Sequence, residues 1–361
     1  LAIPHDEVRI VGVSRAMPPH YYTQHQIYDE LRQYWEDKLD NPAVLERFHQ
    51  RVGVDGRYFV LPLEDYRELD TWGKANNAWL KAGLELGEKA IDCALKRAGL
   101  ERKDIDALMF VSVTGISSPS IDALLINRMG LPTNIRRTPI FGLGCVAGAS
   151  GLAQTADYLR AYPKRVAVLL SVELCSLTWQ RGDVTVANMI ATGLFGDGAS
   201  AVVMVGAEHP LAKEVSKGPA VVDAACNFYP NTEDTMGWDI SEKGFRIVLN
   251  TNVPDVIHAN LRRDVDAFLA QHNLTCRDIG NWALHTGGPK VLDAMAESLG
   301  VTREDCAVSW DSLRESGNLS SSSVILVLEE ILMNRRPKPD TWGLLAAMGP
   351  GFCSQAVLLR W

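Results

Sequence analysis

Three residues stand where side chains can do chemistry. Cys145 lies in FGLGCVAGAS (141–150), after strand-like residues, between glycines, at the start of a helical pattern. Backbone N–H groups and the dipole of a helix start lower a thiol pKa and favour thiolate. The glycines permit the sharp strand-to-helix turn that would present the side chain. His285 ends an apolar run in ALHTGGPK (283–290), just before two glycines, a setting for proton transfer or hydrogen-bond donation. Asn318 opens a second helical pattern in ESGNLSSSS (315–323). Each has a plainer reading: a buried structural thiol, a packed imidazole, a helix N-cap. Against that, all three fall at junctions of strand, loop and helix. Such junctions gather at the carboxyl ends of strands, where α/β sites form.

Other chemistries are poorly supported. Gly142-Leu143-Gly144 with Gly148 comes close to a dinucleotide-binding GxGxxG, but the last glycine is one residue late and no acidic ribose partner follows. The seven cysteines (93, 145, 175, 226, 276, 306 and 353) are odd in number, scattered and without a CxxC pair. That pattern predicts neither a disulfide framework nor a zinc site, and a reducing compartment, the cytoplasm. The remaining histidines, at 5, 20, 25, 49, 209, 258 and 272, read as surface or packing residues.

The elements that must position the three residues come in two copies. DIDALMFVSVTG begins at Asp104 and DIGNWALHTGG at Asp278, an offset of 174; the helical patterns before them end at Leu100 and Leu274, the same offset. GCVAGASGLAQTADYL from Gly144 and GNLSSSSVILVLEEIL from Gly317 stand 173 apart. Beyond them GDGASAVVMVG (196–206) parallels GPGFCSQAVLLRW (349–361) at an offset of only 153, so the first half carries an insertion of about 20 residues around Cys175 to Leu194. Constant spacing of this kind marks a duplication. Alternating strands and helices predict two α/β halves, residues 1–206 and 207–361, each with a mixed, largely parallel sheet. The small-residue helices at 145–160 and 319–333 fit a central layer between them. Residues 18–80 read as an N-terminal helical excursion and 207–250 as a second excursion with a strand at FRIVLN (245–250).

Composition agrees with a large folded chain. The chain has 361 residues, 47% hydrophobic and 22% charged, which excludes a disordered or collagen-like chain. A net charge of −8 argues against a nucleic-acid surface. No apolar run approaches the ~18 residues of a membrane span. The opening LAIPHDEVRI lacks the features of a signal peptide. It also lacks an initial methionine, which leaves room for an upstream segment.

FGLGCVAGAS, LFGDGASAV, HTGGPK, ESGNLSSSS and MGPGF closely resemble the type III polyketide synthases, the chalcone-synthase-like branch of the thiolase superfamily, collinearly from Val8 to Trp361. The resemblance implies a five-layer αβαβα core, a homodimer, and CoA thioesters as substrates with no metal or redox cofactor. It places the catalytic cysteine on Cys145, the histidine on His285 and the asparagine on Asn318. Cys145 would take an acyl group from a CoA thioester, and His285 and Asn318 would hold the enolate formed when malonyl-CoA loses CO₂. Phe195 matches a phenylalanine between CoA tunnel and cavity. A basic mouth for CoA is expected, with Arg47, Arg51 and Lys290 as candidates. The C-terminal loop departs from plant members: Ala347-Met348-Gly349-Pro350-Gly351 keeps only the Gly-Pro-Gly core of Gly-Phe-Gly-Pro-Gly.

The run VELCSLTW (172–179), with Thr114, Ser118 and Cys175, is similar to bacterial members that make long-chain alkylpyrones or alkylresorcinols. Small side chains there leave room for a fatty tail, which gains about 0.8 kcal/mol per buried CH₂. A long-chain acyl starter is therefore the expectation, with aromatic or malonyl starters as alternatives. A ketoacyl-acyl carrier protein synthase of the initiating type uses the same three residues, condenses once and takes an acyl carrier protein. A non-catalytic acyl-CoA-binding paralogue is disfavoured because Cys145, His285 and Asn318 are all present.

Overall fold

The computed structural model describes residues 7–39 and 43–361. In chain order its strands are β1 (Val8–Ala16), β2 (His20–Thr23), β3 (Gly56–Phe59), β4 (Ala107–Val111), β5 (Arg136–Ile140), β6 (Val166–Leu174), β7 (Asp197–Val205), β8 (Ala220–Phe228), β9 (Met236–Ser241), β10 (Gly244–Leu249), β11 (Ile279–Leu284), β12 (Trp342–Gly349) and β13 (Cys353–Arg360).

Strand β6 shows why layers form. Its sequence VAVLLSVEL is buried along its whole length. Val166, Val168 and Leu170 face one apolar cluster, while Ala167 and Leu169 face another. Strand β12 alternates likewise, with Leu344 and Ala346 on one cluster and Leu345 and Ala347 on another. A strand apolar on both faces must be covered on both. The helix Trp72–Ala98 covers the outer face of the first half, and the helices Val253–Ala270 and Pro289–Leu299 cover that of the second. Between the halves lie the helices Ala147–Ala161 and Ser323–Glu330, whose Leu152, Ala156, Val324 and Leu328 share one cluster with both sheets. The result is the thiolase-like αβαβα arrangement.

Nine strands pair in the order β11-β12-β13-β8-β1-β7-β6-β4-β5. The join between β8 and β1 is narrow, with Val8 opposite Val221 and Arg9 opposite Ala220. Outward from it the order is β1-β7-β6-β4 on one side and β8-β13-β12-β11 on the other, so the halves match and β5 alone has no counterpart. The acidic leads into β4 and β11 are the same device, a short 3-10 turn with a capping box (Glu101 with Asp104, Thr275 with Asp278).

Two expectations need correction. The sheet is mixed but not largely parallel: β4 pairs in parallel with β5 and β6, and β11 with β12, whereas the other pairs are antiparallel. Each half ends by doubling back, β12 into β13 directly and β6 into β7 through the insertion, and a strand that returns beside its predecessor is antiparallel. The stretch 207–250 is also not wholly an excursion, because β8 belongs to the main sheet; β9 and β10 form the separate hairpin. Among the described residues no helix is long and apolar enough to cross a membrane.

The central helices touch because Gly148 has no side chain. A Cβ there would lie 2.1 Å from the Ser321 carbonyl oxygen. Gly148→Ala is expected to destabilise the fold by about 1–3 kcal/mol through overpacking, read as a lower urea midpoint. An unchanged midpoint would show that the helices can separate freely.

Candidate active site

The turn that carries Cys145 is built from glycine conformations. Gly142 and Gly144 have φ of +93° and +51°, and the 3-10 turn Gly144–Val146 runs into the helix Ala147–Ala161. A Cβ on Gly144 would lie 2.8 Å from Pro350 Cδ, and one on Gly349 only 2.6 Å from the Val146 nitrogen. The Gly349-Pro350-Gly351 loop therefore sits directly on the cysteine turn, with Gly351 at φ +145°.

Asn318 reaches the same place from the other half. The Cys145 thiol lies 3.7 Å from the Ser320 hydroxyl. Ser320 adopts φ +49°, a left-handed conformation unusual for a residue with a side chain. Its N–H donates to Asn318 Oδ1 at 2.8 Å, and the Ser323 hydroxyl donates to the same oxygen at 3.2 Å. With its oxygen so occupied, the carboxamide keeps its NH₂ as the group that can donate, and Asn318 opposes the rise of the Cys145 pKa. The Asn318 backbone is tied to the first half as well: its N–H donates to Leu194 O at 2.9 Å and its carbonyl accepts from Gly196 N at 3.0 Å, bridging Phe195.

His285 follows the end of β11. Its N–H donates to Ala346 O at 2.9 Å, and the next residue, Thr286, places its hydroxyl 3.5 Å from the carbonyl of Gly317, which precedes Asn318. The imidazole is 2% exposed, and neither ring nitrogen has a protein partner. Burial pushes its pKa down to about 4, so the ring is neutral and both nitrogens are available to a ligand.

The expectation that the helix start favours thiolate is corrected. Burial pushes the Cys145 thiol up to about 12, against the smaller opposing effects of Ser320 and Asn318. Removal from water costs the anion more than the turn's N–H groups return. A thiolate here needs a base inside the site.

The chamber beside Cys145 is small, about 30 Å³, and is lined by Val113, Cys175, Phe195, Met236, Trp238 and Pro350 among others. Cys175, Phe195 and Trp238 also border a second small space, which shares Thr178 and Trp179 with a cavity of about 450 Å³. Thr114 lines that larger cavity. Ser118 does not join Thr114 and Cys175: it is exposed and lines none of these spaces. The Asn76 carboxamide holds both the N–H and the carbonyl of Ile116, drawing the loop to the outer surface. A larger cavity of about 570 Å³, near Arg97, Lys217 and Trp361, includes none of the three chemistry-bearing residues.

Arg47 and Arg51 are exposed on the helix Ala43–Arg51, and Lys290 on the helix Pro289–Leu299. The two helix ends meet, since a Cβ on Gly53 would lie 3.1 Å from Pro289 Cγ. Arg51 and Lys290 therefore belong to adjoining parts of the surface.

Several site residues escaped the sequence reading. Glu173 is fully buried, and its carboxylate accepts from Val113 N at 3.1 Å, from the Thr114 hydroxyl at 3.0 Å and from the Ser321 hydroxyl. Burial raises its pKa to about 7. A lone glutamate in an otherwise apolar strand was the available signal. Ser320 stood in the ESGNLSSSS run without distinction from its neighbours. Trp238 and Met236 gave no signal, since they reach the chamber from the separate hairpin.

Comparison with known proteins agrees with this architecture. Profiles of the chalcone and stilbene synthases match in two parts, the N-terminal domain over residues 5–209 and the C-terminal domain over 220–361. The chain is 46% identical over 352 residues to a 1,3,6,8-tetrahydroxynaphthalene synthase of Streptomyces peucetius subsp. caesius, covering 98% of this chain and 93% of that protein. It is 33% identical over 358 residues to a 3,5-dihydroxyphenylacetyl-CoA synthase of Streptomyces toyocaensis, covering 98% and 90%. The crystal structure of 1,3,6,8-tetrahydroxynaphthalene synthase from Streptomyces coelicolor A3(2), a bacterial type III polyketide synthase, superposes with a TM-score of 0.91 at 29% identity, covering 98% of this chain and 99% of that one. With a duplicated thiolase-like core and both domain profiles matched, the chain belongs to the chalcone and stilbene synthases, the type III polyketide synthases, which condense CoA thioesters with loss of CO₂.

Proposed function

We propose that Cys145 carries the growing acyl chain, that His285 takes the thiol proton, and that His285 and Asn318 hold the enolate formed from malonyl-CoA. The observation that supports this reading is that Ser320, beside Asn318 in the second half, lies against the buried Cys145 thiol of the first, while the neutral, unpartnered His285 imidazole is buried next to Thr286, whose hydroxyl reaches the carbonyl before Asn318. Acyl transfer to Cys145 releases CoA as its thiol, the proton passing through His285. Malonyl-CoA then loses CO₂, and the electron pair left behind forms an enolate whose oxygen accepts from His285 and Asn318. The enolate carbon attacks the Cys145 thioester and expels the thiolate, which takes the lengthened chain again. A carboxamide donates without surrendering a proton, so it stabilises the enolate without quenching it. Arg47, Arg51 and Lys290 supply positive charge for CoA at the surface.

The natural product of this chain is read as a polyhydroxylated aromatic made from malonyl-CoA alone. Support comes from the 46% identity to a tetrahydroxynaphthalene synthase, whose named product has oxygens spaced as in a folded chain of two-carbon units. Trp238 and Phe195 add support, since they narrow the space beside Cys145. The long-chain starter is the second reading, favoured by Thr114 and Cys175 bordering linked spaces that lead to the 450 Å³ cavity. Mass spectrometry of products from malonyl-CoA alone, and with acyl starters from acetyl to long-chain fatty acyl, separates the two. Product from malonyl-CoA alone is expected. No product there, with yield peaking at long chains, would reverse the choice. An acyl carrier protein added to the same assay tests delivery from that source.

Cys175→Phe would overfill the space between the chambers. It is expected to cut the yield of the largest product at least about tenfold while shorter pyrones persist. An unchanged product profile would place the growing chain elsewhere. A homodimer is part of the same proposal: Ile116 and Phe141, each 48% exposed, present large apolar side chains for a second copy to cover. Light scattering at a monomer mass would remove it.

A further inference from the structure

One charged residue lies beneath this machinery. Arg57, in β3, is 0% exposed. A buried guanidinium persists only where acceptors and a counter-charge surround it. Its Nη atoms donate to the carbonyls of Thr192 and Gly193, and Nη1 donates also to Gln24 Oε1 at 2.7 Å. Those carbonyls end the helix Val186–Leu194, where the helix dipole is negative, and Phe195 is the next residue. Asp197, two residues further, supplies the counter-charge. Its own oxygens are held by Ser176 and the Val60 N–H.

The stem of Arg57 matters as much as its charge. A Cβ on Gly317 would lie 2.9 Å from Arg57 Cδ, and one on Gly196 would lie 3.5 Å from Arg57 Cβ and Cδ. Gly317 precedes Asn318, and Gly196 follows Phe195. The two segments are cross-linked by the hydrogen bonds of Asn318 with Leu194 and Gly196. One side chain therefore anchors the helix end before Phe195 and packs beneath the backbone beside Asn318. His49 extends the unit, because its ring packs on Gly193 and it shares a helix with Arg47 and Arg51.

We propose that Arg57 is a positioning residue: it fixes the Phe195–Asn318 bridge so that the Asn318 carboxamide meets the enolate oxygen. The inference rests on reading Asn318 as that donor. Misplacing a reacting or donating group by about 1 Å can cost roughly a hundredfold in rate. Acyl transfer to Cys145 needs a sulfur and a base rather than a donor at the enolate oxygen, so it depends on this bridge far less.

The test compares two half-reactions in the same protein: CO₂ release from malonyl-CoA, and acetylation of Cys145 by acetyl-CoA followed by intact mass. Arg57→Lys keeps the charge and most of the stem but loses the two-pronged grip on Thr192 and Gly193. It is expected to slow CO₂ release by about ten- to a hundredfold with acetylation within about threefold of the parent. Gln24→Leu removes one acceptor of Arg57 at the rim, together with the Gln24 donations to the His49 and Gly193 carbonyls, and should shift the ratio the same way by a smaller factor. An unchanged ratio in a folded Arg57→Lys protein overturns the proposal. If that protein does not fold, an unchanged ratio in Gln24→Leu overturns it. Asn318→Ala, run alongside, separates the claims. Loss of CO₂ release there without loss in Arg57→Lys removes the positioning role alone. No loss in Asn318→Ala removes the assignment beneath it.

Discussion

A Cys145→Ala protein incubated with acetyl-CoA is expected to show no covalent acyl adduct and no polyketide, while still releasing CO₂ from malonyl-CoA. The separation follows from where the groups lie. Acyl transfer needs a sulfur, whereas decarboxylation needs only donors at the enolate oxygen, and these belong to the other half of the chain. The neighbouring thiol cannot take over. Cys175 borders the same chamber, but burial and the nearby carboxylates Glu173 and Asp197 hold it well above the ordinary thiol range. Intact mass and product analysis of one preparation check both halves of the expectation. An adduct that persists on any residue of the variant would unseat Cys145 as nucleophile.

Removal of the imidazole should be as damaging, and its pH dependence carries a sign. A His285→Ala protein loses the base proposed to take the proton from a thiol that burial holds up to about 12. A group with a raised pKa stays protonated through neutral pH and yields its anion only as pH climbs. Alkylation of Cys145 by iodoacetamide at pH 7 is therefore expected to fall by about a hundredfold or more, the usual worth of a placed base. It should recover steadily toward pH 10, because hydroxide replaces the missing base. An equal rate for parent and variant at pH 7 would mean that His285 does not serve the thiol. The same histidine marks an acid limit of the fold. Its folded pKa of about 4 lies below the ordinary 6.5, so the unfolded chain binds a proton in that interval and the folded chain does not. Stability falls as pH drops from 6.5 toward 4, and His285→Ala should remove that part of the fall.

The duplication was legible because spacing survives where side chains change. Near-equal offsets of Asp104 to Asp278 and of Gly144 to Gly317 correspond to two halves of one sheet with matching strand order. Cys145, His285 and Asn318 stood out in the sequence because each sits at an abrupt change of pattern, apolar run to glycine to helix. What could not be read was contact between segments distant in sequence. Arg57 looks like an ordinary surface charge in GRYF, and only the fold brings Thr192, Gly193 and Gly317 around it. Ser118 shows the same limit from the other side: the resemblance groups it with Thr114 and Cys175, whereas in the fold it is exposed and borders none of their spaces. The thiol failed as a prediction for a third reason. A helix start is visible in a pattern of residues, but the depth at which it is buried is not, and depth decided the sign.

The two-part origin of the site also ties its completion to folding. The proposed sulfur comes from the first half, the proposed enolate donors from the second, and the bridge between Phe195 and Asn318 closes only when the halves have met. A nascent chain with one half formed therefore holds either the sulfur or the donors, never both, and condensation waits until the halves have docked.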